Sequence, residues 1–234
     1  MCILAIDTSD LVTYVAVLNH DKKIVSNCGV IDEQASHNEE LSTLTQKTLS
    51  EAKCDFADLT TLIVGSGPGS FTGLRIGYGF IKGLAVGLRQ VLVQQCSFDA
   101  AFYEFYRSGN FSHNLKTVHI LSDARRGQCF KKTFFIESGE VRSVSTVELS
   151  EIELAHANQD TAIVLFRNLE LDNKADYCVK NISIGHLHLY SLNLGSTPQQ
   201  FANSFDLNNL SKLNPNYIRP INAQTIAERN NMHK

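Results

Sequence analysis

Residues 71–88 read FTGLRIGYGFIKGLAVGL, an apolar stretch of helical length with five glycines, at 73, 77, 79, 83 and 87. At about 100° of rotation per residue, all five fall within an arc of about 160° that also holds Ile76, Phe80 and Leu84. Relative to alanine, five glycines cost a helix on the order of 5 kcal/mol. A helix bearing that cost persists where something packs closely on it, because small residues four apart let a second backbone approach. The opposite side carries Leu74, Tyr78, Ile81, Ala85 and Leu88, and only Arg75 and Lys82 are charged. So little polar surface marks a helix covered on both sides. One side meets a sheet; the other meets another helix of the same chain or a second polypeptide.

Around this helix the pattern is legible. Residues 2–6, 13–18 and 23–29 are strand-like and joined by short polar turns, which makes an antiparallel meander. Ser36-His37-Asn38-Glu39 has the form of a capping box, and Leu41, Leu44, Thr45, Thr48, Leu49 and Ala52 continue a helical stripe. A strand at 62–65, the glycine-rich helix, a strand at 91–94 and a helix capped by Ser97 complete the order β-β-β-α-β-α-β. That order predicts a mixed sheet with helices on its faces. Further strands are expected at 117–122, 128–137, 141–148, 162–166 and 177–179, and short helices at 185–193 and 198–205. The polar stretch 106–114 divides the chain, with one subdomain over 1–108 and another over 109–234.

The charge balance excludes some functions. A net charge of −3 is not that of a basic domain binding nucleic acid unaided. No apolar run reaches the roughly 18 uncharged residues of a membrane helix, and no basic leader precedes the first strand. The six cysteines (Cys2, Cys28, Cys54, Cys96, Cys129 and Cys178) are scattered without a CxxC, which predicts reduced, buried thiols and a cytoplasmic setting.

The segment GPGSFTGLRIG (67–77) followed by KGLA (82–85) resembles the signature of the TsaB (YeaZ) family. LAIDTS (4–9), the helix start at Ser36-His37, Asp123-Ala124-Arg125-Arg126-Gly127 and the closing PNYIRP (215–220) with Ala223 fall in that family's order. The match is dense over about residues 1–130, sparse over 130–210, and returns in the tail. Tyr78-Gly79-Phe80-Ile81 is bulkier than the family's pattern before Lys82.

The resemblance implies an α/β, actin-like ATPase (ASKHA, RNase H-like) fold of two related subdomains with mixed sheets, the second reduced and its tail returning to the first. It implies a non-catalytic scaffold for making N6-threonylcarbamoyladenosine on tRNA. Such a scaffold pairs with a TsaD-like catalytic subunit through the glycine-rich helix, forms a homodimer through the same surface, and works with a TsaE-like ATPase. The partner-binding residues carried over are Gly69, Ser70, Phe71, Thr72, Gly73, Leu74, Arg75, Ile76, Gly77, Phe80, Gly83 and Leu84. ATP and metal are expected on the partner, tRNA is reached mainly through the complex, and no membrane is involved.

Two enzymatic alternatives remain. A stand-alone kinase or hydrolase of this fold needs a glycine in its first strand turn, where phosphate approaches the backbone. Here that turn is Asp7-Thr8-Ser9-Asp10, with an extra carboxylate instead. Asp7, Thr8 and Ser9, with Asp123 and Arg125 in a second turn, are the candidate nucleotide contacts, and Asp7 reads first as a turn former and acceptor. The glycine-rich turn 65–70 carries neither the lysine nor the Ser/Thr of a phosphate loop. A glycoprotease-type metallohydrolase needs His or carboxylate ligands at helical spacing, yet no two of the eight histidines stand three or four apart. His186 and His188, two apart, follow a glycine in a segment read as helical. No nucleophile motif is present, so no catalytic residue and no metal ligand is expected.

Overall fold

The computed structural model describes residues 2–10, 12–21, 23–30, 37–112, 114–151, 160–166, 177–179 and 205–218. Ser36 of the capping box, the expected helix at 185–193 and all but Phe205 of the one expected at 198–205 lie outside them; Phe205 itself is not helical.

The first sheet is built from β1 (Cys2–Asp7), β2 (Val12–Leu18), β3 (Ile24–Val30), β4 (Leu59–Gly65) and β5 (Val91–Gln95), in the order β3-β2-β1-β4-β5. The first three strands pair antiparallel, while β4 and β5 run parallel to β1. The second sheet uses β6 (Thr117–Arg125), β7 (Gln128–Glu137), β8 (Glu140–Val144), β10 (Thr161–Phe166) and β11 (Tyr177–Val179), in the order β11-β10-β6-β7-β8. An extra strand, β9 (Glu148–Glu151), pairs with β7, so the single strand expected over 141–148 is two. Again three strands form an antiparallel meander, and two more run parallel to the first. The topology therefore repeats, with β6 standing where β1 stands. The second sheet's hairpins close through Arg126-Gly127 and Ser138-Gly139, all four at positive φ. Two consecutive residues of that kind are what a type I′ turn requires.

The helices are α1 (His37–Glu51), α2 (Phe71–Leu88), α3 (Ser97–Arg107) and α4 (Leu207–Lys212). Alternation along the strands puts Leu4, Ile6, Val15, Val17, Leu62 and Val64 on one face of the first sheet. There they form one core with Leu41 and Leu49 of α1 and with Tyr78, Ile81 and Ala85 of α2. At about 1.5–3 kcal/mol per buried large apolar side chain, this core anchors α2 in spite of its glycines. The opposite face carries a smaller cluster of Ile3, Ala5, Ala16, Ile63 and Val93.

Helix α3 follows the first sheet in sequence but packs on the second. Phe98, Ala101, Phe102 and Phe105 bury against Val118, Ile120, Phe134, Val164 and Phe166. The rings of Phe102 and Phe134 stack at a centroid distance of 4.0 Å.

The cysteines depart from the expectation of reduced, buried thiols. Cys2 and Cys54 form a disulfide, because the register of β1 and the end of α1 bring them together across 52 residues. Cys28 is exposed, Cys96 half-buried, and Cys129 alone of the three is a buried free thiol.

A glycine socket and an open helix face

Asp7 ends β1, Thr8 and Ser9 follow it, and each of the three is only 1% exposed. Four glycines spaced four apart surround them. A Cβ on Gly65 would overlap the Asp7 carboxylate, one on Gly69 the Ser9 carbonyl, and ones on Gly73 and Gly77 the Thr8 carbonyl and hydroxyl. The absence of side chains there lets the turn sink onto β4 and the first turns of α2. Thr8 Oγ1 donates to Gly73 O at 2.7 Å, and Ser70 N donates to Ser9 O at 2.7 Å. Ser70 also caps α2, its hydroxyl accepting from Gly73 N at 3.2 Å.

Asp7 is an acceptor at both oxygens. Oδ1 takes Ser9 N at 2.9 Å and the Ser9 hydroxyl, and Oδ2 takes the Ser97 hydroxyl at 2.7 Å. Ser97 thus differs from its expected role as a helix cap. Cys96 holds the cap position without a side-chain cap bond, and the Ser97 hydroxyl is drawn to the buried carboxylate. Nearby, Ser97 N donates to Gly67 O at 3.0 Å and Asn216 N to Ser66 O at 3.1 Å. The tail therefore touches the glycine-rich turn, and Tyr217 packs on Phe71 at a centroid distance of 4.8 Å.

The helical glycines divide. Gly73 and Gly77 are filled by the chain's own turn, whereas, among the described residues, Gly79, Gly83 and Gly87 have nothing within 4 Å of an added Cβ. Leu74 is buried, and Ile76, Phe80 and Leu84 lean on the core. Thr72, Arg75, Gly79, Gly83, Val86 and Gly87 face solvent, as does Phe71 with Arg75 over its ring. The open face therefore carries no side-chain bulk at Gly79, Gly83 and Gly87.

Asp123 and Arg125 end β6, the position in the second sheet that Asp7 holds in the first, but both are exposed. Asp123 Oδ1 accepts from Arg125 N at 2.6 Å, bracing a turn in which Arg125 and Arg126 have φ of 63° and 59°. The basic group that follows is dispersed. Lys131 pairs with Glu148 at 2.9 Å, and Lys132 turns inward to Asp99. Burial pushes the Cys96 thiol up to about 11, against the pull of the nearby Lys132. For Lys132, burial lowers the pKa, but Cys96 and Asp99 outweigh it and the ammonium ends above its ordinary value. Cys96 is a neutral thiol at pH 7, so Asp99 is the charge that matters there. Burial raises the Tyr78 hydroxyl far above its usual range, the Asp7 charge adding to it.

One cluster had no signal in the sequence. Among the described residues, Cys2, His20 and Cys54 bring one ligand atom each to within 4.8 Å of the others. Their separations match no metal motif, because three different segments supply them. Also among the described residues, no helix is long and apolar enough to cross a membrane.

Two sheets of one topology, with an acidic turn ending the first strand of each, define an α/β protein of the actin-like ATPase fold. The family model "TsaD: tRNA N6-adenosine threonylcarbamoyltransferase" matches residues 15–149, more than half of the chain. The chain belongs to that family, in its TsaB (YeaZ) group. It is 30% identical over 146 residues to the tRNA threonylcarbamoyladenosine biosynthesis protein TsaB of Bacillus subtilis, covering 62% of this chain and 59% of the relative. To the Escherichia coli protein of the same name it is 29% identical over 130 residues, covering 56% and 53%. The chain thus spans little more than half the length of these curated relatives. A crystal structure from Pseudomonas aeruginosa, of a protein with similarity to peptidase YEAZ, superposes with a TM-score of 0.66 at 20% identity. That superposition covers 93% of this chain and 99% of the other, and it shows a shared fold.

Proposed function

We propose that this chain is a non-catalytic partner in tRNA N6-threonylcarbamoyladenosine synthesis, docking a TsaD-like catalytic subunit on the open face of α2. The observation that carries the reading is the run Gly79, Gly83 and Gly87, where an added Cβ would meet nothing within 4 Å among the described residues. Glycine at three open helical positions costs stability without any internal return, and a closely packed second helix supplies one. Phe71 and Val86, 41% and 48% exposed, add apolar contact along the same helix. The same face serves self-association when the partner is absent. The partner holds the nucleotide and the reaction's metal, a TsaE-like ATPase joins the assembly, and tRNA is held chiefly by the complex in the cytoplasm. The Asp7 turn suits this role, since its carboxylate accepts hydrogen bonds from the chain itself. Arg125 and Arg126 are placed to supplement contacts to phosphate.

The test is co-purification with a TsaD-like subunit, together with transfer of the threonylcarbamoyl group to tRNA. Gly83→Leu with Gly87→Leu is expected to abolish both while leaving the fold intact. Full binding by that double variant, or modification by the catalytic subunit at an undiminished rate without this chain, refutes the reading.

A further inference from the structure

The end of the first sheet opposite the glycine socket holds a second assembly. Cys2 opens β1, His20 sits in the β2–β3 turn and Cys54 follows α1. Their two sulfurs and one imidazole nitrogen lie within 4.8 Å of one another. A tetrahedral Zn²⁺ with thiolate and imidazole ligands keeps those atoms about 3.3–3.8 Å apart, a spacing that falls inside that limit.

The surrounding hydrogen bonds hold the three segments in place. Asn19 Oδ1 accepts from Asp21 N and Lys23 N at 3.0 and 2.9 Å, shaping the turn that carries His20. Its Nδ2 donates to Ala52 O at 3.2 Å, which ties that turn to the segment bearing Cys54. Cys54 N donates to Leu49 O at 3.0 Å. Asp58 Oδ1 stands 3.7 Å from His20 Nε2, while its Oδ2 accepts from Asp55 N at 2.8 Å. A carboxylate fixed beside an imidazole is the usual support of a metal-binding histidine. Cys2 and Cys54 are 0% and 4% exposed, whereas the His20 side chain is half exposed, so the assembly opens to solvent on one side only.

We propose that the reduced chain binds one thiophilic divalent cation, Zn²⁺ by its ligand chemistry, through Cys2 Sγ, Cys54 Sγ and His20, with Asp58 orienting the imidazole. A disulfide alone uses two sulfurs and gives no reason for an imidazole with a carboxylate beside it at the same point. Two thiolates and an imidazole favour Zn²⁺ over Mg²⁺ or Ca²⁺, which take oxygen ligands. The redox step balances with a dithiol reductant. The dithiol gives two electrons and two protons to the Cys2–Cys54 disulfide and becomes a disulfide itself. On metal capture, each cysteine thiol releases its proton to solvent and His20 binds as the neutral base. The bound ion staples the start of β1, the β2–β3 turn and the end of α1, a role separate from the partner surface on α2.

The test uses the full chain, reduced and freed of reductant, titrated with Co²⁺ and then Zn²⁺. One equivalent of Co²⁺ is expected, with a thiolate-to-cobalt charge-transfer band that Zn²⁺ displaces. At a hundredfold excess over Kd, Zn²⁺ should raise Tm by about 5 °C or more. Cys54→Ala loses the band, and Cys28→Ser, at an exposed cysteine elsewhere, leaves it unchanged. His20→Ala, at an exposed turn position that does not threaten folding, weakens binding on the order of tenfold or more. The oxidised chain does not bind. A missing band, a band that survives Cys54→Ala, an unchanged Kd in His20→Ala, or binding by the oxidised chain overturns the proposal.

Discussion

The division of α2 into a filled and an open set of glycines makes opposite predictions for one substitution. At Gly79, Gly83 and Gly87 an added methyl meets nothing within 4 Å among the described residues, so alanine changes only the backbone's freedom. Each replacement should stabilise the isolated chain by about 0.5–1 kcal/mol, and the triple variant by about 1.5–3 kcal/mol. In a chain of this size that raises Tm by about 3–12 °C. At Gly73 the same methyl overlaps the Thr8 carbonyl, an oxygen held by the backbone of a buried turn. Relief requires moving the turn or the helix, and overpacking of that kind costs about 1–3 kcal/mol or more. The propensity gain offsets only part of it. Urea or thermal unfolding of the purified chain at two concentrations separates these effects from any change in self-association. Gly73→Ala as stable as the parent refutes the socket. A triple variant no more stable than the parent refutes the claim that the other three positions are open.

Asp7→Ala leaves Ser9 N and two buried hydroxyls without their acceptor and should cost about 3–5 kcal/mol, read by denaturant unfolding with no nucleotide present; an Asp7→Ala chain of parental stability contradicts the structural role. His119, whose Nδ1 lies 2.9 Å from Thr133 Oγ1, has its pKa held below the ordinary 6.5 by burial and then by Lys131, against Glu148. The unfolded chain therefore takes up that proton first, and stability that is full above pH 6.5 falls as pH drops toward the folded-state value. His119→Gln should flatten this loss in unfolding curves between pH 7 and 5; an unchanged slope counts against it.

Periodicity carried the local structure well because it depends on neighbours in sequence. Helix α2 spans residues 71–88, as its apolar run indicates, and β7 spans the expected 128–137. What periodicity does not contain is the far partner. Gly73 and Gly83 look alike on a helical wheel, yet one faces Thr8, 65 residues away, and the other faces solvent. Ser97 reads as a cap from its neighbours, and only the sheet order brings Asp7 to it across 90 residues. The Cys2, His20 and Cys54 assembly is of the same kind. Each residue is unremarkable in its own segment, and β1, the β2–β3 turn and the end of α1 converge only in the fold. Helix α4 is six residues long, and Leu207 and Leu210 alone are too few to show a period.

Helix α3 has a mechanical consequence. Its first residue, Ser97, is bound to Asp7 at the end of β1, while Phe98, Phe102 and Phe105 are embedded in the other sheet's core. Changing the angle between the sheets means pulling a buried hydroxyl off a buried carboxylate or extracting three phenylalanines. The helix works as a strut. Through α3, the end of β1 beside the glycine socket is fastened to the core of the second sheet.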